Sequence, residues 1–108
     1  MGSKIDTYIG FCIKAGKLVR GSGAIDTLKR SDVKLLIMDG TCAKNSRRLA
    51  LKFCNRFHCP LIICQEGFER IVNRPDCRLA AVKDEQLAKA ILACDEENYR
   101  LYTGGDIL

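Results

Sequence analysis

Two features of this 108-residue sequence contain residue types that can carry chemistry: a basic, glycine-rich turn and a set of cysteines. The turn reads GKLVRGSGAID from Gly16 to Asp26 and precedes a helix-like stretch. Glycine lets a backbone approach a ligand closely, and arginine supplies a planar positive charge. The turn is therefore compatible with phosphate binding, with RNA binding or with a plain reversal of the chain.

The turn does not match the nucleotide-binding fingerprints. A phosphate loop reads GxxxxGK[ST], and no lysine follows the second glycine here. The dinucleotide fingerprint GxGxxG lacks its third glycine in GSGAID. The remaining feature is a helix N-terminus beside Arg20, Gly21 and Gly23, which can bind an anion or simply form a capped turn. We predict no nucleotide cofactor.

The cysteines do not follow a metal-binding pattern. No CxxC pair occurs, and the closest spacing is four intervening residues, with His58 next to one of the thiols. Most of the cysteines fall where the helix or strand period calls for a small apolar residue, which a free thiol can replace. We expect reduced thiols that fill the core, with no metal site. The seven are Cys12, Cys42, Cys54, Cys59, Cys64, Cys77 and Cys94.

No local signature of catalysis is present either. Neither GxSxG nor HExxH occurs, and His58 has no obvious nucleophile or carboxylate partner in sequence. We therefore expect a protein that is not an enzyme and has no catalytic residues.

Charge is distributed unevenly along the chain. Residues 1–83 carry 16 Lys and Arg against seven Asp and Glu, whereas residues 84–108 carry two against six. A basic domain of this size suits an anionic partner such as RNA, although a basic surface can also serve solubility alone. No apolar run is long enough to span a membrane and no signal peptide is apparent, so we expect a cytoplasmic protein.

Hydrophobic periodicity predicts alternating helices and strands. Ser3 and Asp6 indicate the start of a first helix that Gly16 ends, and Asp84 with Glu85 opens the last one. The second helix is expected from Gly21 or Ser22 to Arg30, and a third from Ala43 to His58. Short apolar runs between the helices predict buried strands. The pattern indicates an α/β fold, a three-layer α/β/α sandwich with a mixed four-stranded sheet. Residues 1–94 form the single domain, and residues 95–108 form a mobile tail.

The order of these segments resembles a known family over roughly residues 4–93. AGKLVRG after the first helix, VKLLIMDGTCAKNSRR, CPLII, RLAAV and DEQLAKAI are similar to segments of kink-turn-binding ribosomal proteins (the large-subunit proteins "L-seven-Ae" and "L-thirty-e"). The small stand-alone bacterial members are the most similar. The resemblance implies the α/β/α fold and binding of a sharply bent RNA through the glycine turn, helped by the loop after CPLII.

One part of the family pattern is missing. The family reads G-x-N-E-x-x-K at the turn, and neither register around Gly21 supplies the Asn, Glu or Lys that read purine edges. The loop CQEGF, residues 64–68, is also about two residues shorter than is usual in the family. Phosphate contacts remain available from the backbone and the basic residues. The predicted RNA-binding residues are Lys17, Arg20, Gly21, Ser22, Gly23, Thr27, Lys44, Arg47, Arg48, Gln65, Glu66 and Gly67.

We therefore expect a small RNA-binding, ribosome-associated ribonucleoprotein component, monomeric when free of RNA. The alternative is a protein-interaction module on the same scaffold, in which RNA binding is weakened or lost. A thiol-based redox or metal protein is a third possibility. Steep salt dependence of RNA binding distinguishes the first hypothesis from the second.

Overall fold

The structure, a computed structural model, describes residues 3–29, 32–41 and 44–102. Helices and strands alternate along these ranges, which confirms the α/β class expected from the sequence. The helices are α1 (Lys4–Lys14), α2 (Ser22–Ile25), α3 (Lys44–Phe57), α4 (Phe68–Ile71) and α5 (Glu85–Leu92), and the strands are β1 (Leu18–Arg20), β2 (Leu35–Asp39), β3 (Leu61–Cys64), β4 (Leu79–Val82) and β5 (Tyr99–Leu101).

The predicted ends of α1 and the predicted start of α5 are confirmed. The Ser3 hydroxyl accepts a hydrogen bond from the Asp6 backbone N–H at 3.1 Å, as an N-cap does. The Asp84 carboxylate caps α5 in the same way, accepting from the Leu87 N–H at 2.9 Å. Gly16 lies two residues beyond α1 with a φ of 69°, the left-handed conformation that ends many helices.

The second helix is much shorter than predicted, because α2 consists of a single turn. Beyond it, both the backbone N–H and the hydroxyl of Thr27 donate to the Ala24 carbonyl, at 3.3 and 2.7 Å. The Leu28 N–H likewise donates to the Ile25 carbonyl, so the chain continues in tighter turns. A threonine hydroxyl that competes for a backbone carbonyl disfavours continued helix. The predicted end at Arg30 lies outside the described residues.

The sheet has five strands in the order β1-β4-β2-β3-β5. Strand β4 is antiparallel to both β1 and β2, and β2 is parallel to β3. Strands β1, β2 and β3 therefore run in the same direction. The predicted four-stranded sheet was wrong by one strand, because β5 pairs antiparallel with β3 at the margin of the sheet.

The fifth strand comes from the segment that the sequence analysis assigned to a tail. Tyr99 is buried opposite Cys64 of β3, and its hydroxyl donates to the Asp6 carboxylate in α1. The Ser3 hydroxyl also donates to the Glu96 carboxylate. The predicted domain boundary at residue 94 is therefore too early, since these contacts attach residues 96–101 to α1 and β3. Residues 103–108 of the predicted tail lie outside the described residues.

The two faces of the sheet bury separate apolar clusters. In β2, Leu35 and Ile37 belong to one cluster, while Leu36 and Met38 belong to the other. Since side chains alternate along a strand, each face of the sheet needs its own cover. Residues of α1, α4 and α5 contribute to the first cluster, and residues of α2 and α3 contribute to the second. This burial fixes the orientation of the strands and hence of the loops at their ends.

Candidate nucleic-acid interface

The loops that carry most of the predicted site meet at one end of the sheet. Because β1, β2 and β3 run in the same direction, their last residues, Arg20, Asp39 and Cys64, lie at a common end. Strands β4 and β5 begin there, since each runs antiparallel to its neighbours. We call this the carboxyl end of the sheet, and the opposite side the amino end.

The glycine turn leaves the sheet at the carboxyl end. The Gly21 N–H donates to the Leu79 carbonyl at 2.9 Å, and its φ of 98° is one that side-chain-bearing residues rarely adopt. The Arg20 guanidinium donates to the Val72 carbonyl, at the end of α4, at 3.0 Å. In return, the Arg74 guanidinium donates to the Arg20 carbonyl at 3.0 Å. Arg20 thus joins β1 to α4, in addition to the charge that it presents.

A third arginine lies between β1 and β2. Arg78 forms ion pairs with Asp39 at 3.5 Å and with Glu69 at 2.9 Å. The pKa of Glu69 is lowered by the hydrogen bond from the Asp76 backbone N–H and by the bond from Arg78. The Asp39 side chain is buried and also accepts from the backbone N–H and the hydroxyl of Thr41, at 2.9 Å each. These contacts hold the start of β4 in place.

The beginning of α3 adds further cations to the carboxyl end. The Arg47 guanidinium donates to the Gly40 carbonyl at 3.2 Å, which places the first turns of α3 next to the end of β2. Lys44 and Arg48 are exposed on the same turns. The flanking role predicted for these residues of α3 stays a prediction.

The carboxyl end therefore gathers basic side chains from three separate stretches of the chain. Two strand spacings separate β1 from β2 across β4, which is about 10 Å. Arginines bind phosphate oxygens in a planar, two-pronged geometry, and cations spread over such a distance can contact more than one phosphate. The six side chains are Arg20, Lys44, Arg47, Arg48, Arg74 and Arg78.

Four further predicted residues, Lys17, Ser22, Gly23 and Thr27, lie before β1 or on and beyond α2. Lys17 precedes β1, and the Lys83 N–H donates to its carbonyl at 2.8 Å, so both lie at the amino end of the sheet. Thr27 lies beyond α2 and is exposed. Gly23 lies within α2 and is exposed, with open space where a side chain would be. Ser22 begins α2, but its side chain lies outside the described part of the structure.

The predicted secondary loop, 65–67, reaches the carboxyl end but has a different character. Asn98 holds it through hydrogen bonds to the N–H and carbonyl of Glu66, at 2.8 and 2.9 Å. A shallow groove of about 560 Å³ beside it is lined by two carboxylates and one guanidinium. Negative charge here is unfavourable for phosphate, so the predicted contribution of this loop is weaker than that of α3. The lining residues are Gln65, Glu66, Gly67, Arg70, Glu97 and Asn98.

Sequence reasoning did not identify Arg74 and Arg78. Both follow α4 in a stretch that carries no RNA-binding motif. They reach the site only because β4 inserts between β1 and β2, with its start at the carboxyl end. The sequence signal that could have indicated them is the density of arginines in residues 70–78, where every fourth residue is Arg.

Most of the thiols fill the core, as predicted. Cys12, Cys54, Cys64 and Cys77 are buried, and Cys42 lies outside the described residues. Burial raises the pKa of both Cys12 and Cys64 to about 11.

Within the described ranges, no group of three or more His, Cys, Asp or Glu residues is arranged to hold a metal ion. Every helix in these ranges is too short or too polar to cross a bilayer.

Comparison with known proteins identifies a related fold. No family model and no curated protein matches the chain. A solved structure of a protein with unknown function from Bacillus halodurans C is similar, with a TM-score of 0.75 and 17% sequence identity. The match covers 85% of this chain and 96% of that one. At this identity the likeness establishes a shared α/β fold and nothing about activity.

Proposed function

We propose that the chain is a small, non-enzymatic RNA-binding protein of the cytoplasm that associates with ribosomes. It is built as a three-layer α/β/α sandwich and contacts structured RNA through the carboxyl end of the sheet. The observation that carries this proposal is the convergence of basic side chains from β1, the α4–β4 segment and α3 at that end, of which Arg78 is ion-paired with Asp39 and Glu69. The resemblance to kink-turn-binding ribosomal proteins supports the same surface independently.

The organisation of the cations favours RNA over a small anion. The cations extend from Arg20 at the end of β1 to Arg47 beside the end of β2, two strand spacings or about 10 Å across the sheet. This spread matches a polyanion more closely than a single phosphate. Arg20, Arg74 and Arg78 are held by backbone carbonyls or carboxylates. Since these side chains are already ordered, binding sacrifices less rotamer freedom.

Recognition depends on backbone and shape more than on base identity. The kink-turn-binding proteins contact purine bases through an Asn amide, a Glu carboxylate and a Lys amine. Gly23 and the other residues of α2 supply none of these groups. Double-stranded and bent RNA is recognised largely through phosphates and 2′-hydroxyl groups. We therefore expect binding that tolerates base changes but requires folded RNA.

Filter binding over a salt series tests the proposal. The full chain is titrated against a kink-turn RNA, a plain RNA duplex of equal length, and total ribosomal RNA. We expect retention at low salt and a log–log salt slope of about −3 to −5, as several released counterions require. A kink-turn and a duplex with equal affinity would indicate that only general helix geometry is read. Absence of retention of every RNA at low salt would reject RNA binding and favour the protein-interaction alternative.

A further inference from the structure

The thiols of Cys54 and Cys59 are in contact, and the proposed RNA interface does not involve them. Their Sγ atoms lie 3.8 Å apart and share a hydrogen bond. Cys54 belongs to the last turn of α3, and Cys59 is the second residue beyond the helix. The pair lies at the opposite end of α3 from Lys44, so it is spatially separate from the carboxyl end of the sheet.

The backbone at the end of α3 brings the pair together. His58, directly after the helix, has a φ of 55°, in the left-handed region. A left-handed residue at this position reverses the chain, so that the following side chain packs against the third residue before the cap. Two apolar side chains usually make this contact, but here it joins two thiols. The closeness of Cys54 and Cys59 is thus fixed by the way the helix ends.

The two thiols differ in exposure and in acidity. Cys54 is 9% exposed within the second core cluster, whereas Cys59 is half-buried at its border. The hydrogen bond between the two thiols lowers the pKa of Cys59, and the same bond together with burial raises the pKa of Cys54. Because the thiolate is the reactive form, Cys59 is the nucleophile and Cys54 is the thiol within reach of it.

We propose that Cys54 and Cys59 form a modification site that reacts with hydroperoxides to give an intramolecular disulfide. The Cys59 thiolate attacks one peroxide oxygen, and the O–O bond breaks to release an alcohol, or water from hydrogen peroxide, after protonation. Cys59 becomes a sulfenic acid. The Cys54 sulfur then attacks the Cys59 sulfur, forming the S–S bond and expelling water. The two thiols lose two electrons, and the peroxide gains them.

The other described thiols lack this combination. Cys12, Cys64 and Cys77 are buried. Burial raises the pKa of Cys12 and Cys64, which disfavours their reactive thiolate forms. Cys94 is half-buried like Cys59, but its Sγ donates to the Ala90 carbonyl at 3.3 Å instead of contacting a thiol. Cys94 is therefore the matched control for exposure without a partner thiol.

Peptide mapping after peroxide treatment tests the site. The reduced full chain is treated with hydrogen peroxide, remaining thiols are blocked with N-ethylmaleimide, and the product is digested with trypsin. Arg56 lies between the two cysteines, so trypsin separates residues 53–56 from residues 57–70. A disulfide keeps these peptides joined, with the loss of two hydrogen atoms in mass. We expect this linked pair to be the main oxidised product.

Matched variants assign the bond. Residues 57–70 also contain Cys64, so we expect Cys64→Ser and Cys94→Ser to keep the linked pair and Cys59→Ser to abolish it. In the untreated protein, N-ethylmaleimide should label Cys59 before Cys94. The proposal is overturned if Cys59→Ser retains the linkage, if peroxide yields only sulfinic acid or intermolecular dimers, or if Cys94 is labelled first. Because Cys59 is half-buried, Cys59→Ser is expected to fold, which thermal unfolding of the reduced variant verifies.

Discussion

The two ends of the sheet are both basic, yet they are organised differently. At the amino end, Lys17 and Lys34 directly precede β1 and β2, and Lys83 directly follows β4. Backbone hydrogen bonds join these positions, from the Lys83 N–H to the Lys17 carbonyl and from the Lys34 N–H to the Val82 carbonyl. At the carboxyl end, arginine side chains are bonded to carbonyl groups and carboxylates. A lysine amine is a compact charge on a flexible stem, whereas an ordered guanidinium has a fixed direction. The comparison separates the effect of charge from the effect of preorganised charge.

Charge reversal at each end is the strongest way to break this comparison. The double variants Arg48→Glu/Arg74→Glu and Lys17→Glu/Lys83→Glu change the formal charge equally. We expect RNA affinity to fall about 100-fold for the first and less than about threefold for the second, because only the first removes direct phosphate contacts. Filter binding at fixed low salt measures both.

Urea unfolding of both double variants is the control, since the Arg74 guanidinium also bonds to the Arg20 carbonyl. Equal losses at both ends would show that net charge alone governs binding. A larger loss of RNA affinity for Lys17→Glu/Lys83→Glu would indicate that RNA binds at the amino end instead.

The buried thiols near the two ends should behave alike in alkaline solution. The pKa values of Cys12, near the amino end, and Cys64, at the carboxyl end, are both raised by burial from 9.0 to about 11. The unfolded chain therefore releases these protons first, and stability falls as the pH rises from 9 towards 11. Each thiol contributes a loss of about 2 kcal/mol at pH 11. Urea unfolding in reducing buffer at pH 9 and pH 11 measures it.

Alanine variants assign that alkaline loss. Cys12→Ala and Cys64→Ala should each be less stable than the parent at pH 9 but lose less stability between pH 9 and pH 11. Burial also raises the pKa of Tyr99, which adds a loss of the same sign, so each variant is compared with the parent. A parent protein whose stability is constant over this range would contradict the prediction.

A smaller effect distinguishes the two glycines of the turn at the carboxyl end. Gly21→Ala should destabilise the fold by about 1–2 kcal/mol, because its φ of 98° strains any residue with a Cβ atom. Gly23→Ala meets no neighbour and replaces a helical glycine, so we expect stability equal to the parent or about 0.5–1 kcal/mol higher.

The readouts for this pair are urea unfolding and RNA binding. A fall in RNA affinity for Gly23→Ala, with stability retained, would show that RNA approaches the backbone of α2 closely. If Gly21→Ala is as stable as the parent, the result would contradict a positive φ at residue 21.

The smallest expected effect is a change in salt dependence. Arg48→Gln should make the log–log salt slope of RNA binding less steep by about 0.7–0.9, the contribution of one phosphate contact. Lys83→Gln should leave the slope unchanged within error. Slopes measured by the same filter assay decide between them. Identical changes for the two variants would contradict a contact specific to the carboxyl end.

Local signals in the sequence predicted the elements of the fold well. Ser3 and Asp84 are typical N-cap residues, and each is followed by a carboxylate in the first turn of its helix. Apolar segments such as β2 were predicted to be buried strands, and they are. Strand β5 was missed because three residues, of which Arg100 and Leu101 are exposed, give too short a pattern. Its place follows from long-range contacts of Tyr99, which no local window contains.

The site was predicted only in part, for a topological reason. Arg20 lies in the AGKLVRG segment and Arg48 in the VKLLIMDGTCAKNSRR segment, so the family resemblance indicated both residues. Arg78 joins them because β4 pairs with both β1 and β2, and strand order cannot be read from periodicity. Lys17 was grouped with Arg20 by proximity in sequence, although three extended residues place them at opposite ends of β1. The spacing of Cys54 and Cys59 was visible, but their contact depends on the left-handed His58.

The attachment of β5 to α1 has a consequence for how the chain is made. Ser3 meets Glu96, and Asp6 meets Tyr99, in each case across 93 positions of sequence. Contacts of such separation close a loop that spans these 93 positions, which costs more entropy than local pairing. A ribosome delivers the first helix before these partners, because synthesis proceeds from the N-terminus. Until then α1 lacks the Glu96 carboxylate at its start, so nascent chains released before Tyr99 would have an incompletely secured first helix.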